Sequence, residues 1–440
     1  MNSGISITPP MTRQRAQEIA AGFDLRALPA DFYANPYPVY RVLRETEPVR
    51  TMPDGSFFLS RHADLVAVYR DAHNFSSDKK VEFTPKYNHP PYGGDGGDAP
   101  LLEHHTTSLV FNDPPLHTRV RKLLMGALTR RAIAGMEPEL VRLVDGLLDR
   151  LGADGGGDLI EDFASAIPVE VIGNLLDIPH ADRGSLRGWS LAILGALEPK
   201  LTPQQEALGN RSVQEFSAYL RDLVAQRRRR PGDPEHDVLT RLIQGEGGAG
   251  EQLTQSELLH NCIFILNAGH ETTTNLIGNA LVALQEWPQE KAGLLRHLGE
   301  PGQDCNDGGG AAAALDNAVE EFLRFESSNQ LGNRRALRAC TVGGVSLPAG
   351  ALLTLGIGAA NRDPAQFVDP DQLDLARAEN RHLAFGFGIH QCAGLSLARL
   401  EGRIAISRFL QRFPGYRLRA SPVRGGRARF RGFLQAPFSV

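Results

Sequence analysis

The run Phe385-Gly386-Phe387-Gly388-Ile389-His390-Gln391-Cys392-Ala393-Gly394 constrains this chain more than any other stretch. From Leu395 to Phe413 the apolar residues Leu397, Leu400, Ile404, Phe409 and Phe413 recur at helical spacing, which predicts a helix starting just after Cys392. Unpaired amides and the positive end of the helix dipole at that point favour a thiolate. The glycines at 386, 388 and 394 allow tight turns and let the backbone approach something flat and bulky. One anionic sulfur aimed at a planar partner suits an axial ligand of haem iron, because a thiolate supplies the electron density that favours O–O cleavage.

The loop matches without a gap FGxGxHxCxG, the haem-binding signature of the cytochrome P-450 superfamily, and Leu397-Ala398-Arg399-Leu400-Glu401 continues the match. The chain resembles a member of that superfamily. The resemblance implies a mainly α fold with a small β portion, one domain over residues 1–440, and a long central helix over a haem b whose iron is ligated by Cys392. Phe385, Gly386 and Gly394 enter the cofactor-binding set on the same grounds.

Length and composition set looser bounds. A chain of 440 residues would ordinarily divide into two or three domains, so here the resemblance overrides the prior from size. The net charge of −4 argues against nucleic acid as a partner, and the basic run Arg227 to Arg230 before Pro231 reads as a helix C-terminus. Cys262, Cys305, Cys340 and Cys392 have neither metal-ligand nor redox-pair spacing, as expected in a reducing compartment. Met1 to Pro10 has no apolar run resembling a signal peptide or anchor, so a cytoplasmic enzyme without membrane attachment, of bacterial type and monomeric, is expected.

Along the chain, Pro36 to Val49 reads as a helix and the segment around Phe57 to Leu59 as short strands. Thr84 to Pro100 is rich in proline and glycine and reads as a long mobile loop; by resemblance residues 84–107 form the variable loop that helps select substrate. Glycine-rich connectors are expected at Gly245 to Gly250 and Gly302 to Gly310. Between them residues 252–287 form the central helix, opened by the capping box Thr254-Gln255-Ser256-Glu257 and stopped by Pro288. Halfway along, Ala268-Gly269-His270-Glu271-Thr272-Thr273 interrupts its apolar rhythm with residues ill-suited to a buried helix, which is where function is expected.

That interruption matches the oxygen-activation motif AGx(D/E)T of the superfamily. The resemblance implies that small Ala268 and Gly269 leave room for dioxygen beside the iron. Thr272 can hydrogen-bond the oxygen held there and back-bond to its own helix, opening a groove for water, and Glu271 supplies protons through the groove. Glu321-Phe322-Leu323-Arg324 matches ExxR, and Arg377 completes a buried structural network with it. The propionates of the cofactor call for cations: His117 and Arg121, four apart after Asn112-Asp113-Pro114-Pro115, with Arg334 (or its neighbour Arg335) and His390.

By resemblance the substrate pocket is lined by Phe264 to Gly269 and Ser327 to Gly332. Polar Ser327, Ser328, Asn329 and Gln330 fit either a hydrogen-bonding substrate or a self-satisfied turn. The chain carries no flavin or iron–sulfur motif, so electrons for the oxidation of a small hydrophobic organic substrate are expected from a ferredoxin or flavodoxin with an NAD(P)H reductase. Arg119, Lys122, Arg399 and Arg403 would form the docking patch. A haem-thiolate peroxygenase, a rearrangement enzyme and a non-catalytic haem sensor are the alternatives, and the pair Glu271-Thr272 disfavours all three.

Overall fold

The computed structural model describes residues 12–87, 99–234, 237–245, 252–299 and 310–440. Its longest helix, Gln255–Glu286, has 32 residues, about 48 Å at ~1.5 Å per residue. The expected capping box opens it: the Glu257 amide donates to Thr254 Oγ1 at 3.2 Å, and the Thr254 amide donates to the Glu257 carboxylate at 2.8 Å. Trp287 caps the other end and Pro288 begins the next helix, Pro288–Leu298. Residues on every side of the long helix are buried, the pattern of a helix threaded through a core rather than lying on it. Helices Ala166–Leu175, Leu186–Gly195, Pro203–Arg229 and Leu395–Arg412 pack on it.

The architecture is mainly helical with a small β portion, as expected. Five strands form the largest sheet, in the order Val49–Thr51, Phe57–Leu59, Leu352–Gly356, Leu331–Ala336, Phe75–Ser76. Only the pairing of Phe57–Leu59 with Leu352–Gly356 is parallel, with Phe58 opposite Thr354. Among the described residues no helix is long and apolar enough to cross a membrane.

Three expectations change. The helix foreseen over Pro36 to Val49 is shorter, Tyr37–Thr46, because Pro48 biases Glu47 out of helical geometry and the chain turns into the strand Val49–Thr51. The loop foreseen over 84–107 is helical at both ends, Lys80–Tyr87 and Pro100–Thr107, while residues 88–98 lie outside those described. Its prolines mislead: Pro100 occupies the first turn of a helix, where a missing N–H costs nothing. Tyr87, Leu101, His104 and His105 hold both pieces in the core. The central helix, finally, is continuous through 268–273, so the interruption is one of composition and not of backbone. The foreseen connectors are, apart from their edges Gly245 and Gly310, outside the described residues.

The ExxR pair is a hub. Glu321 and Arg324 are fully buried on the helix Gly310–Phe325. One carboxylate oxygen of Glu321 accepts from Arg324 Nη2 (2.7 Å) and the Asp374 amide (2.9 Å); the other accepts from Arg324 Nε (2.7 Å), Arg377 Nε (3.1 Å) and Asn380 Nδ2 (3.0 Å). Arg324 also donates to the carbonyls of Asn361, Pro370 and Gln372, which fixes the irregular segment leading into the cysteine loop.

Glu321→Ala leaves Arg324 and Arg377 buried without their counter-ion, a loss of about 3–5 kcal/mol. Thr254→Ala removes one cap, about 1 kcal/mol. Urea denaturation of the two variants should show this order; equal midpoints would remove Glu321 from its central position.

Candidate functional site

The cysteine loop is built by its backbone. The Cys392 amide donates to the Phe385 carbonyl at 2.9 Å and closes the loop on itself. Gly386 (φ 65°) and Gly388 (φ 74°) adopt conformations that side chains resist, and a Cβ on Gly388 would lie 2.3 Å from the Tyr69 carbonyl. Gly394 is different: it caps the helix Leu395–Arg412 at an ordinary φ of −91°, with no atom near where its side chain would be. It keeps a surface open rather than making a turn.

The expected thiolate depends on the group the sulfur binds, and not on the helix start alone. Burial pushes the Cys392 thiol up from 9.0, against the pull of the Gly394 amide, Arg121 and Arg399. Desolvation outweighs the helix start, so the anion requires a further positive charge, which a metal ion bound to the sulfur supplies. Along the same helix Glu401 is 2 % exposed, its Oε2 lacks a hydrogen-bond partner, and burial raises it to about 8.

Beside the loop four basic groups converge. The rings of His117 and His390 lie 4.1 Å apart between centroids. Arg121 donates to the Gln391 carbonyl at 2.7 Å. Arg334, buried on the strand Leu331–Ala336 with its guanidinium over the Tyr69 ring, is close enough to repel a proton from either imidazole. Burial first, and then Arg334, the neighbouring imidazole and Arg121, hold His390 down to about 2; burial and Arg121 hold His117 at about 4. Both ring nitrogens of His117 and Nε2 of His390 are buried without hydrogen-bond partners. Arg334 rather than Arg335 therefore belongs to this cluster. A set of cations and bare imidazoles fits a planar group carrying carboxylates on this edge.

The central helix turns Ala268 outward: it is exposed although it lies midway along a buried helix. Thr272, one turn on and on the same face, donates to the Ala268 carbonyl at 2.6 Å, the expected back-bond. Gly269 does something else. A Cβ there would meet the Ile172 side chain at 2.6 Å, so its bareness admits a neighbouring helix.

Glu271 points about 100° away from Thr272 around the helix, and no hydrogen bond joins the two among the described residues. Arg427 Nη1 donates to Glu271 Oε1 at 2.6 Å. Burial nevertheless raises the carboxyl to about 7, with Arg427 opposing. Arg427 carries no motif and lies 156 residues away in sequence, so sequence reasoning had no signal for it.

The turn after the ExxR helix narrows the ambiguity over Ser327 to Gln330. Ser327 donates to the Leu323 carbonyl (2.9 Å) and accepts from Asn361 (2.7 Å), Ser328 donates to the Thr272 carbonyl (2.8 Å), and Gln330 donates to the Ser327 carbonyl (2.7 Å). The two serines are thus engaged with the protein itself, whereas Oε1 of Gln330 is buried without a hydrogen-bond partner among the described residues. The foreseen docking patch changes too. Arg119 pairs with Glu257, Arg399 with Glu320 (2.6 Å) and Arg403 with Glu137 (3.6 Å), so most of its charge is neutralised locally.

The sequence profile described as "Cytochrome P450" matches residues 191–416. The chain belongs to the cytochrome P-450 family. It is 36% identical over 381 residues to the vitamin D(3) 25-hydroxylase of Pseudonocardia autotrophica, covering 86% of each chain. It is 35% identical over 405 residues to the cytochrome P-450 monooxygenase PikC of Streptomyces venezuelae, covering 91% of this chain and 89% of the other. Among solved structures, P450BioI in complex with an acyl carrier protein ligated by hexadec-9Z-enoic acid superposes with a TM-score of 0.83 at 30% identity, over 94% of this chain and all of that one. As a cytochrome P-450 the protein is a haem-thiolate monooxygenase with haem b as cofactor.

Glu401 gives a pH signature. Its carboxyl is raised from 4.5 to about 8, so its contribution is complete below pH 4.5 and is lost as the pH climbs toward 8, by at most about 1.4 kcal/mol per pH unit. Glu401→Gln should flatten the decline of thermal midpoint across this window. An unchanged slope would place the cause elsewhere.

Proposed function

We propose that this cytochrome P-450 inserts one atom of dioxygen into a hydrophobic organic substrate, drawing electrons from a separate ferredoxin or flavodoxin reduced at the expense of NAD(P)H. The haem, when bound, supplies the redox centre at which dioxygen is reduced and the substrate oxidised. Cys392 would ligate its iron, on a loop whose backbone is fixed by the Phe385 carbonyl and by the positive φ of Gly386 and Gly388. His117, Arg121, Arg334 and His390 would hold its propionates, whose charge would relieve the crowding of basic groups there. Phe385 backs the loop and is itself pinned by Arg399, whose guanidinium lies 4.9 Å from the ring centroid.

The observation that carries this reading is the exposed Ala268 with Thr272 one turn on, back-bonded to it, midway along a helix whose residues are mostly buried. The cysteine loop supplies the sulfur, held by its own backbone. Ala268 keeps the helix low where substrate and oxygen must meet. Thr272 offers a hydroxyl whose proton is held at the Ala268 carbonyl until a better acceptor arrives. Glu271 buffers protons near neutrality, as a general acid must. A peroxygenase or a haem sensor has no use for such a pair. The hydrophobic natural product named for the vitamin D(3) hydroxylase supports a substrate of that general class here.

Two measurements test it. The reduced, carbon-monoxide-bound difference spectrum should show a strongly red-shifted Soret band in the parent, lost in Cys392→Ala; a histidine-like spectrum in the parent would sink the ligand assignment. Thr272→Ala should keep that spectrum yet release severalfold more hydrogen peroxide per NAD(P)H consumed. Unchanged leakage would take Thr272 out of proton handling.

A further inference from the structure

One turn of the central helix, from His270 to Asn275, borders a cavity of about 20 Å³, room for one or two water molecules. Its remaining walls are apolar apart from Arg187 and Arg427, both partly exposed and each paired with a carboxylate. Four polar atoms along it are buried without a hydrogen-bond partner among the described residues: Nδ1 and Nε2 of His270, Oε2 of Glu271 and Nδ2 of Asn275. The three side chains are 1 %, 6 % and 5 % exposed. Bare polar atoms this deep are costly one by one, and four along a single water-sized space form a built site.

The site has structural support on its far side. A Cβ on Gly432 would lie 1.9 Å from Asn275 Oδ1, so the glycine makes the room that Asn275 occupies. Arg427, from the same C-terminal segment, binds Oε1 of Glu271 and the Leu191 carbonyl, which leaves Oε2 as the carboxyl oxygen turned to the cavity. Burial and then Arg187 keep His270 neutral, its pKa at about 3, so its ring offers one donor and one acceptor. The charged groups facing Glu271 are Arg427, Glu198 and Arg187, the last paired to Glu161.

We propose that His270 and Asn275 hold a water against Oε2 of Glu271, and that this water restores to the carboxylate the proton Glu271 releases toward Thr272. The inference rests on the assignment of Glu271 as proton donor made above. The balance is simple: the carboxylate takes one proton from the water, and the water regains one from solvent past Arg427. No electrons move in this step. His270 and Asn275 are positioning residues, and Arg427 is the gate.

The holoenzyme, its His270→Phe, His270→Gln and Asn275→Leu variants and Glu271→Gln as reference provide the test, each first shown to keep the carbon-monoxide spectrum of the parent. A high-resolution crystal structure of the parent should show a water within hydrogen-bond reach of Glu271 Oε2, His270 and Asn275. The infrared carboxyl band absent from Glu271→Gln should exchange with D2O at least several-fold more slowly in His270→Phe and Asn275→Leu, with His270→Gln between these and the parent. Hydrogen peroxide formed per dioxygen consumed should rise in the same order. A parent cavity without water, or variants exchanging at the parental rate while Glu271→Gln leaks peroxide, would overturn this inference and leave Glu271 as donor. Parental peroxide yield in Glu271→Gln would overturn both.

Discussion

The carboxylate of Glu321 is the point on which the rest of the molecule is hung. A buried anion in a low-dielectric interior survives only if its lone pairs are filled, and here Arg324, Arg377, Asn380 and the Asp374 amide fill them. Arg324 then spends its other protons on three carbonyls of a segment with no regular structure. That segment runs directly into the cysteine loop. A stretch that could not hold itself by helix or strand bonds is thereby made rigid enough to aim one sulfur.

Burial of charge recurs around the site with different outcomes. Glu321 is compensated completely; Glu401 has no compensating charge and stays protonated through neutrality. Glu271 stands between, desolvated but leaning on Arg427. The basic cluster at His117, Arg121, Arg334 and His390 is the converse: two guanidinium groups crowd two imidazoles kept neutral, with Asp113 as a weaker counterweight. Groups left uncompensated by the chain itself mark where something else is to bind or where protons are to move.

What could be read in the sequence was what is local. The glycine-cysteine loop, the Thr254–Glu257 box, the pairing of Glu321 with Arg324 and the four-residue spacing of His117 and Arg121 all lie within a few residues of chain. The balance of forces on the Cys392 thiol was less legible, because desolvation depends on everything that surrounds it. Gly269 shows the same limit: its closeness to Ile172 of another helix carries no mark in the sequence. Ser327 and Ser328 were ambiguous in the sequence because their partners, the Asn361 amide that donates to one and the Thr272 carbonyl that accepts from the other, are distant in the chain. Arg427 and Asn275 carried no pattern at all.

The C-terminal segment has a consequence for how the enzyme comes into being. Arg431 donates to the carbonyls of Tyr33 and Ala34 at 2.8 Å and pairs with Glu326, clasping the first-made part of the chain to one made nearly 400 residues later. Arg427 reaches Glu271 from the same stretch. A nascent polypeptide that has already emerged through the cysteine loop still lacks the cation that steadies its acid. Such distant contacts form late. The acid of the central helix therefore gains its cation only once the C-terminal segment is in place, and cutting the chain short of Arg427 would leave Glu271 buried without it.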